Sequence, residues 1–119
     1  MKGSRVNMVK VWNLNTLAKF SGKQGPLNIP DDLNTVKQDL LKTNRYELVL
    51  VCLESGQTIP PHPESDGACF YVIDGKGTFT VGSEQFDLAR GEMIFAPANE
   101  IRGILSKEKL TVLGIHDTH

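Results

Sequence analysis

From Tyr46 onward the chain is cut into short pieces, and that punctuation most limits what it can fold into. Turn signals stand at Ser55-Gly56, Asp66-Gly67, Asp74-Gly75, Gly77, Gly82-Ser83, Arg90-Gly91 and Asn99-Glu100. The apolar or alternating runs between them hold four to nine residues, which is strand length rather than helix length. Tyr46–Leu53 is almost continuously apolar and predicts a strand buried on both faces. Cys69–Ile73, Met93–Ala96 and Leu110–Ile115 read as further strands. Gly77–Val81 alternates, which puts Phe79 and Val81 on one face. Gly75-Lys76-Gly77 reads as a hairpin turn; no helix follows, so it is not a phosphate loop. Many short strands with regular turns predict an all-β sandwich or barrel.

The first third is less patterned. Met8–Trp12 reads as a strand, with Trp12 an interface or lid anchor. Asn15 is a candidate cap for a helical turn running to Phe20. Ser21–Pro30 is a loop. Asp31–Thr43 has two readings. Leu33, Val36, Leu40 and Leu41 have helical spacing behind Asp31 or Asp32 as cap. Alternatively Thr43-Asn44-Arg45 is the turn of a hairpin pairing Val36–Lys42 with Tyr46–Leu53, the reading preferred here.

A chain of 119 residues makes one domain, large enough for a core without staples. Lys plus Arg number 13 and Asp plus Glu 14, so no basic excess exists to neutralise a nucleic-acid backbone. No apolar run approaches the ~20 residues of a membrane helix, so no membrane partner is expected. The N-terminus has no apolar signal segment, and a cytoplasmic location is the expectation. Cys52 and Cys69 lie in apolar runs and read as free buried thiols.

Gly56, His62, Gly75, Gly91 and Pro97 stand at the spacings of the two motifs of the cupin family, which the chain resembles over about residues 45–115. The resemblance implies a small single-domain cupin, a double-stranded β-helix or jelly-roll barrel. Its core would span about 36–116, with an N-terminal strand and loop arm over about 1–35. It also implies a homodimer, in which the Met8–Trp12 strand would add to the partner's sheet and cover an exposed edge.

In the family, the motifs supply three histidines and a glutamate to a divalent transition metal. The His-x-His part works because residues two apart in a strand share a face. Here the resemblance puts His62 and Glu64 at the two histidine positions, Ala68 at the glutamate position and Arg102 at the histidine of the second motif. Asn99 and Ser106 replace a Gly and an Asn. Alanine has no donor atom, and arginine has a permanent charge and no lone pair to offer. The implied metal site is degenerate, with His62 and Glu64 as its remaining ligands and Asp66, His116 and His119 as further candidates.

The expected function is a small-molecule binding module without cofactor. An anionic or polar ligand would sit among His62, Glu64, Ala68, Phe70 and Arg102, with an Arg102–Glu64 ion pair in place of the metal. The alternative is a metal-dependent cupin enzyme, of isomerase or dioxygenase type, around His62 and Glu64. A metal-free enzyme with His62 or Glu64 as general base, and a purely structural dimer, also stay open. Each residue has a plainer reading too. His62 is then pocket lining, Glu64 a solvated rim group and Arg102 a surface charge. His116 and His119 become parts of a frayed terminus, and Phe70 and Val72 ordinary core. Cys69 and Tyr71, of opposite parity, face outward or meet a partner.

Overall fold

The computed structural model describes residues 9–118. Their elements, in order, are α1 (Leu14–Leu17), α2 (Leu33–Val36), β1 (Lys37–Lys42), β2 (Tyr46–Leu53), β3 (Thr58–Pro63), β4 (Ala68–Val81), β5 (Glu84–Ala89), β6 (Met93–Ala96) and β7 (Ile101–Asp117). β4 and β7 pair antiparallel along almost their full lengths, from Ala68 opposite His116 to Val81 opposite Arg102. The register slips between Val72 and Asp74, Asp74 and Lys76, and Lys76 and Gly77. Irregularities of this kind bend a paired strand. The first half of β4 and the last half of β7 lie in one layer with β6, β2 and β1. The other halves lie in a second layer with β5 and β3. The layers close on each other as a double-stranded β-helix, the fold class expected from the sequence.

The hairpin reading of Gly75–Gly77 is therefore corrected: Cys69–Ile73 and Gly77–Val81 are two halves of one bent strand. The glycines serve a close approach of two backbones. Gly75 has φ +87°, and a Cβ there would run into the carbonyl of Lys109. At Gly77 a Cβ would lie 2.9 Å from the Leu105 carbonyl oxygen. Leu110–Ile115 is likewise the end of a 17-residue strand. β3 has no strand signature in the sequence because Pro60, Pro61 and Pro63 cannot donate to a ladder. It pairs with β7 through a register shift between Ile59 and His62.

The β1–β2 hairpin forms as expected, Lys37 opposite Val51 through Lys42 opposite Glu47, and α2 is the single helical turn that leads into it. Asp32 sits at the start of α2 but makes no side-chain cap bond. Its carboxylate instead accepts from the Lys23 ammonium (2.7 Å) and the Asn28 N–H (2.8 Å). The Lys23 hydrogen bond, then the Asn28 N–H, hold the Asp32 carboxyl below its ordinary value. This clamp closes the loop that carries Leu27 into the core. The loop is pinned to β3 by Leu27 N–H to Thr58 O (2.7 Å) and Thr58 N–H to Gly25 O (2.9 Å).

Val9–Trp12 is not a strand, which corrects the reading of Met8–Trp12; Met8 lies outside the described residues. Trp12 is half-buried and belongs to no sheet. The cap of α1 is Asn13 rather than Asn15: its Oδ1 accepts from the Thr16 N–H at 3.1 Å. From there the chain crosses the barrel exterior. The Gln38 amide donates to the Leu17 carbonyl (2.8 Å), and the Lys109 ammonium lies 4.7 Å over the Phe20 ring. Both cysteines are free, Cys52 buried and Cys69 half-buried. Burial pushes the Cys52 thiol up, a direction that disfavours the thiolate form.

Two outcomes test this account. Gly75→Ala is expected to destabilise more than Gly91→Ala in urea unfolding. Gly91 has φ +90° but nothing within 4 Å of the added Cβ. It bears only the left-handed strain of about 1–2 kcal/mol, whereas Gly75 adds a backbone collision. Equal losses would mean that the bend has room for a side chain. The Asp32 clamp has a pH signature. A carboxyl held low in the fold contributes fully above its unfolded value, near 3.9, and loses that contribution as pH falls through the folded value. The Asn28 amide should therefore keep its hydrogen-exchange protection at the ordinary carboxyl value and lose it only as pH falls through the lowered folded one. Asp32→Ala should lower that protection at neutral pH and remove the acid step.

Candidate functional site: a buried arginine in the barrel cavity

A cavity of about 240 Å3 opens between the two layers. Its lining divides by depth. Val49, Val51, Ile59, Phe70, Phe79 and Ile104 form the deep part, each at most 8% exposed. The polar lining residues His62, Glu64, Asp66 and His116 keep partial access to solvent and form the mouth. Arg102 breaks this division. It carries a full charge and is only 5% exposed.

Arg102 stands near the start of β7, opposite His62 of β3 on one side and Val81 of β4 on the other. Its Nη2 donates to the carbonyls of Asp66 and Pro97 (3.0 Å to Pro97). The turn after β6 presents the Pro97 carbonyl. It passes through Asn99 at φ 68°, where the family pattern has Gly and where Asn is the best-tolerated substitute. The Asn99 N–H ties this turn to the Glu64 carbonyl (2.7 Å). The remaining donors, Nε and Nη1, are buried with no hydrogen-bond partner. The nearest carboxylate oxygen, Asp66 Oδ1, lies 3.7 Å from Nη1, an ion pair but too long for a hydrogen bond.

Asp66 also reaches the far end of β7. Its Oδ2 lies 2.7 Å from His116 Nδ1. The His116 ring stands edge-on to Phe70, 5.6 Å between centroids, and its strand position is opposite Ala68 and Glu47. One aspartate in the β3–β4 loop thus joins residues from both ends of the bent strand. His62 is engaged at both ring nitrogens: Nδ1 meets the Pro60 carbonyl (2.9 Å) and Nε2 meets Glu64 Oε2 (2.7 Å).

Several sequence expectations change here. Glu64 and Arg102 line the same cavity, but no ion pair joins them among the described residues. Glu64 pairs with His62 and Arg102 with Asp66, because the β3–β4 loop brings Asp66 over the guanidinium. Arg102 is not a surface charge, and His116 is not part of a frayed end. His119 lies outside the described residues. Phe70 lines the cavity; Ala68 is buried at 2% exposure but does not line it. Lys37 and Glu47 also line it and were not singled out by motif spacing. The parity of Glu47 with Val49 and Val51 is the signal that places it there.

A divalent metal does not fit this donor set. Ala68 offers nothing at the family's glutamate position. At the histidine position a guanidinium is fixed by two backbone carbonyls. Among the described residues no three His, Cys, Asp or Glu side chains gather closely enough to hold an ion.

Comparison with known proteins supports the same frame. An uncharacterized protein of Streptomyces coelicolor is 29% identical over 58 residues, which cover 49% of this chain and 55% of that protein. This chain thus matches little more than half the length of that relative. A solved Thermus thermophilus protein is 21% identical with a TM-score of 0.77, covering 92% of this chain and 97% of that one. A conserved Klebsiella pneumoniae protein with a double-stranded β-helix domain is 16% identical with a TM-score of 0.76, covering 92% and 90%. These two likenesses concern the fold. The cupin-domain family model matches residues 49–115, more than half of the 119, so the chain belongs to the cupin family.

Proposed function

We propose that this cupin is a small-molecule binding protein whose cavity takes an anionic or polar ligand on Arg102 instead of on a metal ion. The observation that carries the reading is the unfinished hydrogen bonding of Arg102. A buried donor without an acceptor costs about 1–3 kcal/mol, more when charged. Nε and Nη1 both stand in that condition, on a side chain that lines the cavity. An anionic oxygen entering the cavity supplies the missing acceptor and compensates the desolvated charge. Of the carboxylates at the mouth, Glu64 is taken by His62, while Asp66 is held by His116 and meets Arg102 only at 3.7 Å, in ion-pair range but too far to complete the hydrogen bonding of Nη1. His62 and Glu64 are also the pair on which a metal-dependent isomerase or dioxygenase would be built. Against that reading, a second cation would share the cavity with Arg102.

The proposal includes self-association. Tyr71, Met93, Phe95 and Ile115 are exposed on adjoining strands β4, β6 and β7, with Tyr71 opposite Met93 and Cys69 opposite both Phe95 and Ile115. An apolar sheet face of this kind suits a second copy of the chain.

Thermal unfolding tests the binding reading. A chelator should leave the midpoint unchanged. Anions screened at constant ionic strength should include some that raise it, by the equivalent of about 2.7 kcal/mol at roughly 100 times Kd. Arg102→Gln should lose that response. A midpoint that falls with chelator and recovers with one metal would overturn the reading in favour of the enzyme. For assembly, sedimentation should give a dimer for the wild type and a monomer for Met93→Lys/Phe95→Glu. A monomeric wild type at high micromolar concentration removes the dimer.

A further inference from the structure

We infer that the ligand is a small apolar monocarboxylic acid, its hydrocarbon part in the deep cavity and its single carboxylate on Arg102. The inference rests on the Arg102 reading and narrows it to one chemical class.

Size comes first. The cavity holds about 240 Å3. That is below the roughly 300–1,000 Å3 of pockets that enclose drug-sized ligands, which calls for a small ligand. Chemistry of the deep wall comes second. Val49, Val51, Ile59, Phe70, Phe79 and Ile104 offer no side-chain hydrogen bonds. A sugar or polyol placed there would strand its hydroxyls, each at a desolvation cost. A hydrocarbon chain or ring gains from the same wall.

Charge comes third. Arg102 is the one charged side chain buried as deeply as that wall among the described lining residues. It has spare N–H groups for one anionic head. A second negative charge would have to lie toward the mouth, where Glu47, Glu64 and Asp66 stand. Like-charge juxtaposition there works against dicarboxylates and phosphate dianions. Lys37, also in the lining, is 36% exposed beside Asp39, so an anion on it would sit in solvent rather than against the deep wall. One anionic group and an apolar body complement the cavity, and two anionic groups do not.

The test is a titration of the wild-type protein, followed by calorimetry and by the NMR signal of the Arg102 Nε–H. Hexanoate and benzoate are the probes; hexanamide, succinate and inorganic phosphate are the controls. Hexanoate or benzoate should bind and move the Arg102 signal. Hexanamide should bind about 10- to 100-fold more weakly, the range for a hydrogen bond to a charged group. Succinate and phosphate should be weaker than hexanoate. The NMR readout needs no variant, so it stands even if Arg102→Gln fails to fold. If succinate or phosphate moves the Arg102 signal and hexanoate does not, the monocarboxylate class is wrong while the Arg102 anchor survives. If hexanamide matches hexanoate, the apolar wall alone binds and the anchor is wrong. If no anion moves the signal, both readings fall.

Discussion

The bend shared by β4 and β7 is the constraint on which the rest of the molecule depends. Two strands of 14 and 17 residues pair along almost their whole lengths, yet flat they would enclose nothing. The register shifts from Val72 to Gly77 fold the pair over. They need Gly75 and Gly77, because the backbone of residues 105–110 passes too close for a Cβ. This fold-over gives the barrel two layers. It also makes one strand contribute residues to the cavity from both ends, Arg102 near its start and His116 near its end.

Asp66 turns that geometry into a site. Its carboxylate meets His116 and lies within ion-pair range of Arg102, while its own carbonyl receives one of the guanidinium N–H groups. Pro97, from the turn after β6, supplies the second carbonyl. The guanidinium is thus placed by three separate segments: the β3–β4 loop, the β6–β7 turn and β7 itself. Placement is complete while hydrogen bonding is not. A charged side chain fixed on one side and unsatisfied on the other is the physical basis for expecting a ligand.

Much of the barrel was legible from residue pattern. Tyr46–Leu53 and Met93–Ala96 coincide with β2 and β6, since both runs are apolar and bounded by turn residues. The β1–β2 hairpin followed from Thr43-Asn44-Arg45, where the Thr43 hydroxyl accepts from the N–H groups of Arg45 and Tyr46. Three features were not legible, for different reasons. β3 is hidden by its prolines, whose strand role depends on a long-range partner in β7. The continuity of β4 through Asp74-Gly75 is hidden because a glycine at positive φ serves a bulge as well as it serves a hairpin turn. The pairing of Arg102 with Asp66 rather than Glu64 depends on the path of a loop, which motif spacing does not encode. Motif spacing could name the positions near the cavity, but not which of them touch.

Membership in the cupin family, joined to a donor set that does not suit a metal, has a consistent physical explanation. The parts of the motifs that this chain keeps are backbone parts. Gly56, Gly75 and Gly91 have φ of +84°, +87° and +90°, and the turn of Pro97 closes the β6–β7 connection. They secure the fold whatever occupies the cavity. The parts that differ are side chains: Glu64 at the cavity mouth, Ala68 buried outside its lining, and Arg102 buried within it. Three histidines and a carboxylate present lone pairs to a cation. A buried guanidinium presents N–H groups to an anion. The barrel tolerates the reversal because nothing in its ladders or bulges depends on the ligand atoms. Arg102 itself takes part in the β-ladder only through its backbone, opposite His62 and Val81. Its side chain is then free of any ladder role, within the one restriction that its buried charge must be met, here by the carbonyls of Asp66 and Pro97 and by the Asp66 carboxylate.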